Sequence, residues 1–219
     1  MMSAGLFITL EGVEGSGKTT QAAILADALR ARGLVVMVTR EPGGTRVGQA
    51  IRAIFLDAAF ALEPAAELLL VLADRAQHVR EQLRPALAAG QIVVCDRYSD
   101  STTAYQGYGR GLDHQLLREL NQLASDALKP DLTLVLDCPA ELGLARTHAR
   151  QKEGAGAVDR FEVDRFESER LEFHRRVREG FLAVAREEPA RVLVLDASRP
   201  AAEVSAAILG AVTARMQNR

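Results

Sequence analysis

The 219-residue chain has only two cysteines, Cys95 and Cys138, each at the end of a β-like run. Two thiols cannot form a disulfide framework, so two buried core thiols in a reduced cytoplasm are expected. There is no excess of charge of one sign: 27 Lys and Arg stand against 29 Asp and Glu, a net charge of -2. The lack of a bulk basic field argues against a dedicated nucleic-acid binder, though not against local arginine clusters. No uninterrupted apolar run reaches the length of a membrane span. The apolar start carries no basic leader or cleavage site and runs straight into Glu11 and a glycine loop, so it reads as a first strand, not a signal peptide. The four histidines (His78, His114, His148, His174) show no metal-ligand spacing, and surface or packing roles are expected of them. Internal repeats and low-complexity linkers are missing as well.

What is present is an ordinary globular composition, 48% hydrophobic and 26% charged. A chain of this length can bury about 70% of its unfolded surface, and one domain spanning 1–219 is expected. Short β-branched runs alternate with longer helical stretches, which predicts βαβ units and a parallel sheet. Strands are expected at 6–10, 35–39, 92–96, 132–137 and 192–196. Helices are expected near 18–32, 47–57, 64–88, 114–128, 140–150, 164–187 and 201–216. Pro64, Pro139 and Pro200 sit near helix starts, where a missing N–H is harmless, and Gly33 and Gly90 follow helices. Between two charged helices, QKEGAGAV at 151–158 reads as a mobile loop flanked by Arg146, Arg150 and Arg160.

Gly12, Val13, Glu14, Gly15, Ser16, Gly17, Lys18 and Thr19 match the pattern G-x-x-x-x-G-K-[ST] between a strand and a helix. Glycines let backbone N–H groups converge on one concavity, and the helix N-terminus adds positive potential there. Lys18 should reach the β- and γ-phosphates of a nucleoside triphosphate and the Thr19 hydroxyl should bind Mg²⁺. The loop says triphosphate, not which reaction. No Asn-Lys-x-Asp base-reading motif of a GTPase is present, and the size favours a small phosphotransferase over a motor or helicase. Glu14 places a carboxylate inside a cradle built for anions. It either points to solvent or faces a second substrate's hydroxyls or a cation, and the second reading is favoured.

Three further segments look specialised. Arg40-Glu41-Pro42-Gly43-Gly44-Thr45 follows the second strand, at the edge where open α/β sheets bind ligands. Asp96-Arg97-Tyr98 ends the third strand; the Asp could hold the water shell of Mg²⁺ and the Arg could grip a phosphate, or the two could be structural ion pairs. Arg75 emerges from the apolar stretch Leu68-Leu69-Leu70-Val71-Leu72, and either snorkels or reads a ligand.

Taken together, FITLEGVEGSGKTTQ at 7–21, TREPGGT at 39–45, the segment 96–107 with its Tyr-Gln-Gly, Gly109-Arg110-Gly111 and DRFE at 159–162 resemble the bacterial thymidylate kinase family. The resemblance implies an α/β, three-layer P-loop NTPase fold: a five-stranded parallel sheet flanked by helices, with a small lid at about 146–160. It implies transfer of the γ-phosphoryl group of ATP to dTMP, with Mg²⁺, in a cytoplasmic homodimer that binds no nucleic acid and no membrane. By the same resemblance the loop from Gly12 to Thr20 holds ATP, with Thr19 and Asp96 near the metal. Arg40 and Arg97 hold the acceptor's phosphate, Glu14 meets its 3′-hydroxyl, and Arg75 bonds the thymine carbonyl. Thr102 approaches the N3 edge, Tyr105 crowds the 2′ position, and Gln106 lies with the substrate. Lys18, Arg97 and a lid arginine, Arg150 ahead of Arg146, act on the transferring phosphoryl group. Val71 stands where the family usually places an aromatic against the thymine; either apolar contact replaces stacking or another aromatic moves in. Another nucleoside-monophosphate or deoxynucleoside kinase remains an alternative. A P-loop ATPase switch is the rival from another class, although such switches carry an extra lysine where this loop has Glu14.

Overall fold

The computed structural model describes residues 5–152, 166 and 169–218, and for 150–152 the backbone alone. Five strands, β1 (Leu6–Glu11), β2 (Val36–Arg40), β3 (Ile92–Asp96), β4 (Leu132–Asp137) and β5 (Val192–Asp196), form one sheet in the order β2-β3-β1-β4-β5. Every neighbouring pair is parallel. The fold expected from the sequence is the fold found. The apolar strands β1, β3 and β4 are the central ones, covered on both faces, while the more exposed β2 and β5 are the edges.

Alternation along the strands divides the core. Leu6, Ile8 and Leu10 join Val94 and Leu134 in the larger cluster, whereas Phe7 faces the other way and packs with Val93, Cys95 and Tyr98. Both cysteines are buried free thiols, and burial pushes both of their pKa values up.

Nine α-helical segments connect the strands among the described residues: α1 (Lys18–Arg30), α2 (Arg46–Leu56), α3 (Pro64–His78), α4 (Arg84–Ala88), α5 (Ser99–Thr102), α6 (His114–Ala124), α7 (Ala140–Lys152), α8 (Leu171–Glu187) and α9 (Ala201–Gln217). Gly33 ends α1 at φ 80°, with its N–H on Arg30 O and that of Leu34 on Leu29 O. Gly90 ends α4 in the same way, its N–H on Leu87 O and that of Gln91 on Ala86 O.

Three helices depart from the expected ones, each for a physical reason. The span 64–88 is interrupted by a π-helical turn at Val79–Leu83, where Arg84 N–H reaches Val79 O. Pro85 follows; it lacks an N–H and its ring would clash with the carbonyl four residues back, so the helix widens. The span 164–187 is not one helix: α8 begins at Leu171, and Arg170 before it is extended with ψ 149°. The stretch 99–109, for which the sequence predicts no helix, is α5 followed by a π-helical run at Thr103–Gly109. Its buried side chains are largely polar, so it shows no apolar period to read.

This topology fixes the site. The chain leaves β1 for β2, returns through β3, then crosses to β4 on the other side of β1. Ligands bind outside the carboxyl ends of the strands at such a switch point. Glu14, Arg40, Asp96 and Arg97 all stand at that edge.

Candidate active site

The loop between β1 and α1 needs its glycines. Gly15 has φ 67°, and a Cβ there would lie 2.0 Å from Gly143 O of α7. The loop is therefore wedged against α7. Lys18 arches back over it, donating to Val13 O at 2.8 Å and to Ser16 Oγ at 3.3 Å. On one side a cleft of about 410 Å³ is lined by Gly15, Ser16, Gly17, Thr20, Arg146 and Ala197, among others. Arg146 is fixed there by a 2.9 Å hydrogen bond to Ala197 O.

At the mouth of the loop, the Thr19 hydroxyl donates to Asp96 Oδ2 at 2.5 Å. A hydroxyl and a carboxylate at one point are hard oxygen ligands that suit Mg²⁺. Among the described residues no group of three or more His, Cys, Asp or Glu could hold a metal. Mg²⁺ held by this pair would take its other ligands from phosphate oxygens and water, as it prefers. The residues fit the ion.

Across the loop lies a second cavity, lined by Glu14, Val71, Arg75, Arg97, Thr102, Tyr105 and Gln106, together with Phe55 and Phe166. Six of the substrate-side residues expected from the sequence thus meet in one place. Arg40 is not among the lining residues. It ends β2 opposite Asp96, and its successors Glu41 and Pro42 carry the chain into the cavity wall. Val71 lines this cavity together with aromatics from other parts of the chain: Phe166 packs on Phe55 at 5.4 Å and on Tyr105 at 5.5 Å between ring centroids.

Glu14 does not point to solvent. Its Oε1 accepts from the Tyr105 hydroxyl and, at 3.3 Å, from Arg97. Its Oε2 accepts from His174 Nδ1 at 3.2 Å. Burial alone would raise its pKa, but the His174 hydrogen bond and the charges of Arg97 and Lys18 outweigh burial and bring it down to about 2. Arg97 has a backbone φ of 71°, in the left-handed region, which turns the chain sharply after β3. Its guanidinium then reaches Gly12 O at 3.0 Å and lies 4.9 Å from the Tyr105 ring centroid.

Arg75 does not snorkel. It is 2% exposed, and its Nε donates to Glu41 Oε2 at 2.9 Å. One terminal nitrogen donates to Thr102 Oγ1 at 3.0 Å and to Asn121 Oδ1 at 2.5 Å. Burial opposes its charge, yet the Glu41 carboxylate holds its pKa above the usual value. Gln106 donates to Glu67 Oε1 at 2.7 Å, and Arg110 ties Glu67 to Glu169.

The surface and packing roles expected of the histidines divide evenly. His114 and His148 are exposed, while His78 and His174 are fully buried and face carboxylates, which the sequence does not announce. His78 Nδ1 lies 2.9 Å from Glu41 Oε1, while His174 faces Glu14. Other residues escaped notice too. Asp74 accepts from Gly43 N–H at 2.9 Å and is pushed up to about 6, by burial first and Glu41 second. Glu11 accepts from Tyr98 N–H at 2.7 Å and from the Ser101 hydroxyl at 2.6 Å, and burial with the Asp100 charge raises it to about 8. Only their position beside the known motifs could have signalled them. Of the predicted loop at 151–158, residues 151 and 152 are instead the last two of α7, while 153–158, the side chain of Arg150, Arg160 and the DRFE at 159–162 lie outside the described residues.

A hydrolase needs one nucleotide cleft; here two clefts open on either side of a single phosphate loop, with cations between them. Fold and site together define a P-loop nucleotide kinase. The family model for thymidylate kinase matches residues 10–208. A thymidylate kinase of Geotalea uraniireducens is 53% identical, over 97% of this chain and 98% of its own. One of Deinococcus radiodurans is 54% identical, over 98% and 99%. A crystal structure of thymidylate kinase from Ehrlichia chaffeensis superposes with a TM-score of 0.74 at 34% identity, covering 96% of this chain and 99% of that one. The chain belongs to the thymidylate kinase family.

Proposed function

We propose that the chain transfers the γ-phosphoryl group of ATP to dTMP, giving ADP and dTDP. The observation that carries this reading is that adjacent residues of one loop serve opposite clefts: Gly15, Ser16 and Gly17 line the first, and Glu14 lines the second. ATP occupies the cleft beside Arg146, and dTMP the cavity with the aromatic and guanidinium lining. Two anions must be brought together, so the chain's task is to neutralise and align them. Lys18 serves the β- and γ-phosphates, while Arg97, with Arg40, serves the acceptor's phosphate. Arg75 and Thr102 read the base edge, Gln106 braces that wall, Tyr105 crowds the 2′ position and Glu14 takes the 3′-hydroxyl. Mg²⁺ held by Thr19 and Asp96 through oxygen and water would offset charge on the donor phosphates. No general base is needed, because the acceptor oxygen is already anionic. Arg150, in the lid at about 146–160, is assigned the cation that arrives on closure, and Arg146 a donor-side contact.

The same reading makes the protein a homodimer. Ile54, Leu69, Leu116 and Leu123 are exposed apolar residues of α2, α3 and α6, where α3 packs against both neighbours, and a second copy would cover them. No helix of the described residues is long and apolar enough to cross a membrane. Buried free thiols suit a reducing cytoplasm.

ADP release measured with dTMP, dUMP, CMP, UMP and GMP tests the assignment. Preference for dTMP is expected; preference for a base other than thymine would refute the role given to Arg75.

A further inference from the structure

One buried polar side chain near the acceptor cavity is left without a task. His174 of α8 is 1% exposed. Its Nε2 is buried and has no hydrogen-bond partner among the described residues. Burying a ring nitrogen unpaired is destabilising, so an apolar residue would pack at less cost unless the other nitrogen is used. That other nitrogen, Nδ1, lies 3.2 Å from Glu14 Oε2. Glu14 is the anion, so the shared hydrogen belongs to Nδ1.

The distribution of donors on Glu14 is uneven. Tyr105 and Arg97 both bond to Oε1. Among the described side chains that hydrogen-bond to Glu14, His174 is the one on Oε2. A carboxylate held through one oxygen can pivot about it; held through both, it cannot. Arg97 is also the donor called away when the acceptor's phosphate arrives, which leaves Tyr105 and His174 to fix the carboxylate.

We propose that His174 is a positioning residue: its Nδ1–H fixes Glu14 Oε2 and thereby sets how strongly the enzyme prefers an acceptor bearing a 3′-hydroxyl. The proposal rests on the reading that Glu14 meets that hydroxyl.

The test compares kcat/KM for dTMP and 3′-deoxy-dTMP in the wild type and in His174→Leu, His174→Asn and His174→Gln. The amide nitrogen of Asn falls near the place of Nδ1, and that of Gln near Nε2. Wild type should favour dTMP. His174→Leu and His174→Gln should lose at least about tenfold of that preference, the scale of one hydrogen bond to a charged group, through KM for dTMP and not through KM for ATP. His174→Asn should retain most of it. Equal preference in His174→Asn and His174→Gln would overturn the proposal, even if His174→Leu failed to fold. So would wild-type preference in His174→Leu. A wild type that uses both nucleotides equally would instead overturn the Glu14 reading, and the role of His174 with it.

Discussion

Replacing Glu14 by glutamine keeps the shape of the side chain and removes its charge, and the consequence can be worked out from its surroundings. The carboxyl is brought down to about 2 in the folded chain from its ordinary 4.5. Folding therefore favours the anion over the neutral acid by about 3 kcal/mol. That figure already sets burial against the contributions of His174, Arg97 and Lys18. The group is almost fully buried, so solvent screens little of it. Because the folded pKa is depressed, the unfolded chain binds the proton more readily between pH 4.5 and 2. The stabilisation is full above about pH 4.5 and is lost as pH falls through 2. Glu14→Gln should then be about 3 kcal/mol less stable at pH 7, or about 6–12 °C in Tm for a chain of this size. The gap should narrow on acidification. Urea unfolding of both proteins at pH 7, 5, 4 and 3 reads it directly, and taking the difference cancels every other carboxyl. A variant as stable as the wild type at pH 7, or a gap as wide at pH 3 as at pH 7, would refute the account of why an acid sits in this loop.

Three further outcomes are expected. Glu11→Gln should show the opposite pH behaviour: the Glu11 pKa is raised to about 8, so its burial destabilises the fold progressively from pH 4.5 up to 8. The variant should gain on the wild type across that range in denaturant melts; a constant offset would mean Glu11 stays ionised. Lys18→Ala should abolish transfer while calorimetry shows dTMP binding within a few-fold of wild type, and equal loss of both would misplace Lys18. Arg150→Ala should lower kcat more than it raises either KM, whereas Arg146→Ala should mainly raise KM for ATP; the reverse pattern in steady-state kinetics would exchange their roles.

What could be read from the residues alone was what is local. The phosphate loop declares itself because glycines, lysine and threonine must stand at fixed spacing between a strand and a helix. The central strands are legible because cover on both faces makes them apolar throughout. The network around Glu14 is different: His174 lies 160 positions away in the chain, and nothing near either residue announces the pair. His78 and Glu41, 37 apart, are hidden for the same reason. The run at 99–109 escapes a periodicity argument because its inward face mixes Tyr105 with Asp100, Thr102 and Gln106, polar groups held by hydrogen bonds. Val71, Phe55 and Phe166 come together in one cavity wall, a convergence across tertiary space that no single stretch of sequence can display.

The resting posture of Arg97 also bears on turnover. With its guanidinium already lodged against a carboxylate and a backbone carbonyl, Arg97 in the role proposed for it would exchange one set of oxygen partners for another on capturing a monophosphate. The net gain on such a capture would be only a difference between two good environments. On that reading affinity would be kept moderate, and dTDP, which presents the same inner phosphate, would not be trapped. An arginine left to solvent would grip harder and let go more slowly.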